Sequence, residues 1–229
     1  FTLLLMNQLG TTLGKLFLLT ALLTSLPTLG QKKAAVNPDL TAIGQGGTAV
    51  NRSTTALTDG TRKGIRFDAR SGDGLLWLPG LQLTNGDIEF DLRGQNVLQQ
   101  SFLGLAFHGQ DDNTYEAVYF RPFNFQSQDS VRRVHAVQYI AHPTYTWQKL
   151  RTDFPNKYEA AILPAPDPTD WFHVRVNIAN STVRVFVNQI AAPVLVVERL
   201  SQQPGGRVGF WVGNTSPGDF ANLVVRPVE

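Results

Sequence analysis

From Gly47 onward, apolar and polar residues alternate with period two in one segment after another. Ile88, Phe90 and Leu92 fall on one side of such a run, with Asp87, Glu89, Asp91 and Arg93 on the other. Phe172, Val174, Val176 and Ile178 oppose Trp171, His173, Arg175 and Asn177 in the same way. Val183, Val185 and Val187 oppose Arg184, Phe186 and Asn188, while Val208, Phe210 and Val212 oppose Arg207, Trp211 and two glycines. Successive side chains of a strand point to opposite faces, so each run predicts a strand with one buried face. Turn-forming stretches separate them: Thr84–Asp87, Ala179–Ser181, Gln203–Gly206 and Ser216–Asp219. No long stretch keeps a 3.6-residue period. Many short strands without intervening helices predict an all-β antiparallel sandwich or barrel.

The middle of the chain reads differently. Phe102–Phe107 is apolar on both faces, which predicts a central strand. A strand over Tyr115–Phe125 would place Tyr119, Arg121 and Phe123 on one face, with Val118 and Phe120 on the other. A further strand over Arg133–Ile140 would group His135, Val137 and Tyr139 against Ala136, Gln138 and Ile140.

Composition narrows the classes. With 229 residues and an apolar fraction of 42%, the chain can build one sizeable core, and an all-β domain of this size is normally single. A net charge of +2 gives no electrostatic reason to expect a nucleic acid or an anionic membrane as partner. The absence of cysteine excludes disulfides, thiolate metal sites and cysteine nucleophiles.

Lys15 precedes the apolar run Leu16–Leu23, which is followed by Pro27 and the small residues up to Gly30. That layout predicts a secretory signal peptide over residues 1–30, with Met6 as the true start. The run is too short to span a bilayer, which takes about 20 residues. Residues 31–47 read as a polar leader, and 48–229 as the folded domain. The mature protein is therefore expected to be secreted, periplasmic or at the cell surface, free of the membrane and monomeric.

Several segments resemble the bacterial LamG-like and DUF1080-like (3-keto-disaccharide hydrolase-like) secreted domains. They are Ser101–Gly109, Tyr115–Phe125, His135–Ile140, Trp147–Arg151, Gly209–Gly213 and Gly218–Leu223, so the likeness covers roughly residues 55–227. It implies the concanavalin A-like jelly-roll sandwich of two antiparallel sheets. That fold serves lectins, binding modules, glycoside hydrolases and polysaccharide lyases, and does not choose among them. The laminarinase-like glycosidases of this fold carry a Glu-x-Asp-x-x-Glu strand. Glu89-Phe90-Asp91 begins like it, but Gly94 stands where the second glutamate belongs. The paired carboxylates of retaining chemistry are thus missing there, and Glu89 and Asp91 read as the solvated face of a strand.

A polar and aromatic cluster remains as the candidate site. Its expected catalytic members are His135, Glu116, Tyr139, Arg121, His142 and Glu159. Its expected substrate-binding members are Tyr119, Asn124, Gln138, Tyr145, Trp147, Arg151 and Tyr158. Aromatic rings cover the C–H face of a pyranose, and planar polar groups meet its hydroxyls. Ligands of jelly rolls of this type lie on the concave sheet, where Tyr119 and Arg121 would join His135 and Tyr139, with His142–Trp147 as a loop over one end. General acid–base chemistry would pair His135 or His142 with Glu116 or Glu159, or use Tyr139 activated by Arg121. Either scheme suits glycoside hydrolysis or elimination; a non-catalytic oligosaccharide- or polysaccharide-binding or adhesion module is the alternative. The spacing of His135 and His142 matches no recognised metal signature. No cofactor is required, though the resemblance implies a structural calcium near Asp219, held by carboxylates and carbonyls.

Overall fold

The structure is a computed structural model that describes residues 34–46 and 49–228. The expected signal segment, 1–30, lies outside the described residues.

Two seven-stranded antiparallel sheets face each other. Sheet I contains β2 (Thr54–Asp59), β3 (Arg62–Phe67), β5 (Asn85–Arg93), β10 (Phe172–Ala179), β11 (Thr182–Val187), β12 (Leu195–Glu198) and β14 (Gly218–Val228). Sheet II contains β1 (Ala49–Val50), β4 (Gly74–Leu83), β6 (Leu103–Gly109), β7 (Tyr115–Phe120), β8 (Val137–His142), β9 (Glu159–Ala160) and β13 (Gly206–Val212). Their orders are β12-β11-β10-β5-β14-β3-β2 and β1-β4-β13-β6-β7-β8-β9. Strands distant in sequence lie side by side in both, as a jelly roll requires.

The alternation in sequence is the alternation in space. Ile88, Phe90 and Leu92 of β5 are fully buried between the sheets, as are Val174 and Val176 of β10 and Val183, Val185 and Val187 of β11. Aromatic rings carry the contact across the interior. Phe90 of sheet I meets Phe210 of sheet II edge to face at 5.8 Å, and Phe120 meets Phe172 at 5.3 Å. Such pairs add to the burial of their large apolar areas.

Sheet I turns its other face to water. There Asp91 binds His173, Arg62 and Asn222, while Arg226 pairs with Glu89. Glu89 and Asp91 are thus the polar face of β5, as their alternation predicts, but Asp91 is buried under its partners rather than solvated. Sheet II differs, because every residue of β6 and of β7 is buried. A strand apolar on both faces must be covered on both. The outer cover comes from the segments around α2 (Pro122–Phe125), α3 (Ser130–Arg133) and α4 (Trp147–Asp153).

These short helices were not legible in the alternation. Pro122 cannot donate to a strand ladder but fits the first turn of a helix, so β7 stops at Phe120. Asp129 caps α3 by accepting from the backbone N–H of Val131 at 2.9 Å, and β8 begins only at Val137. In the segment read as a leader, Val36 bridges to Val225 and α1 (Leu40–Gly46) follows, with Leu40 buried.

Candidate functional site

The outer face of sheet II forms the floor of a cavity of about 780 Å³. Tyr119 of β7, Ile140 and His142 of β8 and Trp211 of β13 line it from the sheet. The walls are loops and short helices: Leu98, Gln99 and Phe102 before β6, Arg121, Phe123 and Asn124 after β7, Arg132 and His135 before β8, and Thr146, Trp147 and Arg151 of the α4 segment. Asp73, Gly213 and Asn214 close it on the β4 and β13 side.

The register explains which side chains meet. Gly104 of β6 stands opposite both Tyr119 and Trp211, which lie on its two sides. With no side chain between them, the two rings approach to 4.8 Å. Tyr115 and His142 are paired across β7 and β8 and stack at 5.1 Å with planes 10° apart. Phe102 packs edge to face on Phe123 at 5.3 Å, and Trp147 at the mouth is 42% exposed.

Arg121 lies at the centre of the polar part and is only 5% exposed. Its Nη2 donates to the Tyr119 hydroxyl at 2.6 Å and to Gln138 Oε1, and its Nη1 donates to the carbonyl of His135 at 3.0 Å. The Tyr119 hydroxyl in turn donates to Gln138 Oε1 at 3.0 Å. Gln138 Nε2 is buried without a hydrogen-bond partner. Asn124 donates to the same His135 carbonyl at 3.2 Å. Glu159 sits behind this group with its Oε2 2.9 Å from Arg151 Nη2 and 2.7 Å from His135 Nδ1. Arg151 also lies over the Trp147 ring at 5.1 Å, one helical turn along α4.

Burial pushes the His135 imidazole below its ordinary pKa, against the pull of Glu159, and lowers His142 against the pull of Asp73. Both rings are therefore neutral near pH 7. Burial also lowers the Arg121 guanidinium, which stays charged because its ordinary value is so high.

The expected site residues divide into two groups. Tyr119, Arg121, Asn124, His135, His142, Trp147 and Arg151 line the cavity, with Gln138 and Glu159 directly behind. Tyr139 and Glu116 do not belong with them. Tyr119 pairs with Gln138 and Val118 with Tyr139, so Tyr139 points between the sheets. The expected grouping of His135 with Tyr139 fails because His135 precedes the strand, and strand parity does not extend to it. Glu116 is fully buried, accepting from Arg199 Nη2 at 2.6 Å, from the Tyr139 hydroxyl and from His108 Nδ1 at 2.8 Å. That network ties β6, β7 and β8 to the chain after β12. Tyr158 is buried on Tyr139, with ring centroids 5.9 Å apart, and Tyr145 packs on the core. Neither lines the cavity.

Asp219 is not placed to hold a cation. Its Oδ1 accepts from Arg66 at 2.7 Å and its Oδ2 from Arg93 at 2.8 Å, so guanidinium groups occupy both oxygens. Among the described residues, no group of three or more His, Asp or Glu side chains is arranged to bind a metal ion.

Sequence reasoning missed Asp73, Phe102, Arg132, Trp211 and Asn214 as cavity residues. The available signal was the two-sided apolarity of Phe102–Phe107, which demands a covered outer face and hence walls around it.

No protein-family model matches the chain, and no curated protein matches it. Solved structures do. A Bacillus subtilis protein of unknown function with a galectin-like fold superposes with a TM-score of 0.56 at 11% identity, over 87% of this chain and 99% of that one. The carbohydrate binding module CBM66 from Bacillus subtilis superposes with a TM-score of 0.52 at 12% identity, over 74% and 92%. The exoplasmic/lumenal domain of VIP36 in its Ca2+/Man-bound form gives 0.51 at 11% identity, over 86% and 91%. The chain has the two-sheet lectin-like sandwich fold that these structures share.

Proposed function

We propose that this protein is an exported domain that binds carbohydrate in the cavity on the outer face of sheet II. The observation that carries the reading is the lining itself. Trp147 offers an exposed ring face at the mouth, Tyr119 and Trp211 form an aromatic floor, and Arg121, Asn124 and Asn214 offer planar polar groups within one cavity of about 780 Å³. A pyranose needs both, apolar surface for its C–H face and directed donors and acceptors for its hydroxyls. CBM66 is named as a carbohydrate binding module and the VIP36 domain was solved with mannose, which supports the same class of ligand here. The lumenal side named for VIP36 and the signal-like layout of residues 1–30 support export. No described helix is long and apolar enough to cross a membrane. The Ca2+ of the VIP36 structure supports a structural calcium here as well, held away from Asp219, whose carboxylate is engaged by Arg66 and Arg93.

Binding is favoured over hydrolysis because the acidic residues do not form a facing pair in the cavity. Among the described residues, Asp73 is the one carboxylate in the lining, Glu159 is held behind it, and Glu116 lies between the sheets. One feature supports a catalytic reading: His135 and His142 both line the cavity, and burial lowers the pKa of each, which favours the neutral form in which histidine acts as a general base.

A glycan panel assayed for both binding and product formation separates the two. Binding without turnover, lost in Trp147→Ala, is the expected result. Turnover lost in a folded His142→Gln variant establishes the catalytic reading. Undiminished binding in Trp147→Ala and in Tyr119→Ala together removes the cavity from the proposal.

A further inference from the structure

Charge is distributed unevenly around the cavity. Arg121, Arg132 and Arg151 all line the end formed by α2, α3 and α4. One carboxylate, Glu159, stands with them, and it is held by Arg151 and His135. Among the described residues, neither Arg121 nor Arg132 has a carboxylate within ion-pair distance. Arg121 donates only to neutral acceptors: the Tyr119 hydroxyl, Gln138 Oε1 and the His135 carbonyl. Arg132 reaches Asn124 Oδ1 at 3.4 Å and the Phe123 carbonyl at 3.5 Å, both long contacts. Asp73, the acidic residue of the lining, precedes β4, three strands across the sheet from β7.

A buried guanidinium without a counter-charge is costly, because neutral acceptors replace its hydration only in part. Arg121 is 5% exposed and is not in a salt bridge that would explain its burial. The cost is recovered if an anion enters the cavity. Guanidinium groups bind carboxylate and sulfate oxygens in pairs, with strong charge-assisted hydrogen bonds. Arg132 is partly buried, and only long hydrogen bonds to neutral acceptors hold its guanidinium.

We propose that the glycan bound here is acidic, and that the α2–α3–α4 end of the cavity receives its carboxylate or sulfate group between Arg121 and Arg132. This rests on the carbohydrate-binding reading and specifies its ligand. Trp147 then takes the ring face of the sugar, and the two arginines fix its orientation. The interaction weakens with salt to the extent that Arg132 remains in contact with water.

The test measures equilibrium binding of the whole protein to matched oligosaccharide pairs. One pair is oligogalacturonate and its carboxyl-reduced form; the other is a sulfated galactan and its desulfated form. One acidic member is expected to bind about tenfold or more tightly than its neutral partner, and the pair that discriminates identifies carboxylate or sulfate. Arg132→Ala is expected to remove most of that preference, with the acidic member losing far more affinity than the neutral one. Arg121→Lys, which keeps the charge but not the planar fork, is expected to weaken the acidic ligand selectively. Equal affinity within both pairs overturns this inference and leaves carbohydrate binding standing. No binding to any glycan overturns both.

Discussion

Arg121 and Tyr119 form a single unit at the head of the cavity. The guanidinium carbon lies 4.7 Å from the centre of the Tyr119 ring, while Nη2 donates to that residue's hydroxyl at 2.6 Å. The hydroxyl passes the interaction on to Gln138. Tyr119→Phe keeps the ring but removes the relay, leaving a buried charge with one fewer acceptor. A loss of about 1–3 kcal/mol in unfolding free energy is expected, measured by denaturant titration. An unchanged stability would show that the hydroxyl is not part of Arg121's support.

The buried Glu116 network makes the strongest stability prediction. Burial raises its pKa, but hydrogen bonds from His108, Arg199 and Tyr139 outweigh that and hold it below the ordinary 4.5. Glu116→Gln keeps the shape but leaves Arg199, whose side chain is 9% exposed, without its counter-charge. The expected cost is about 3–5 kcal/mol. A carboxylate with a depressed folded pKa stabilises above its unfolded pKa, and that contribution disappears as pH falls through the folded value. The wild type should therefore approach the variant in stability below pH 4, and a gap that persists unchanged in acid would contradict the assignment.

Gly104 permits the contact between Tyr119 and Trp211. A Cβ at this position would come within 2.1 Å of the Val118 carbonyl oxygen, which belongs to the neighbouring backbone. Gly104→Ala is expected to cost about 1–3 kcal/mol by overpacking and to weaken glycan binding by shifting the cavity floor. Thermal unfolding and titration on the same sample check both effects.

The opposite face carries a pH dependence of the other sign. The hydrogen bond to Asp91 raises the pKa of His173, against the effect of burial. A raised folded pKa gives stability that is complete below the ordinary 6.5 and fades as pH rises through the folded value. His173 is half-exposed, so the effect should stay below about 1 kcal/mol. The difference between wild type and His173→Asn should shrink between pH 5.5 and 9, and growth over that range would contradict the pairing.

The sandwich was legible because its signal is local. In β5, β10 and β11 one face is apolar and the other polar, so parity alone separates interior from surface. The site was legible only in part, because β7 and β8 are apolar on both faces and parity cannot assign a side. Tyr139 and Gln138 carry equally suggestive chemistry, and only the register that pairs Gln138 with Tyr119 decides between them. Glu116 looked like a catalytic acid for the same reason. Its partner Arg199 lies 83 positions away, a separation that no local pattern reveals. Arg132 was hidden just before the strand expected over Arg133–Ile140, in a segment that Asp129 instead caps as a helix.

The most direct measurement is a crystal structure of the protein soaked with the tightest-binding glycan of the panel. Sugar density against Trp147 and Tyr119, with an anionic group beside Arg121 and Arg132, is the expected result. Density on the outer face of sheet I, near Trp171 and His173, with the cavity empty would contradict the placement of the site.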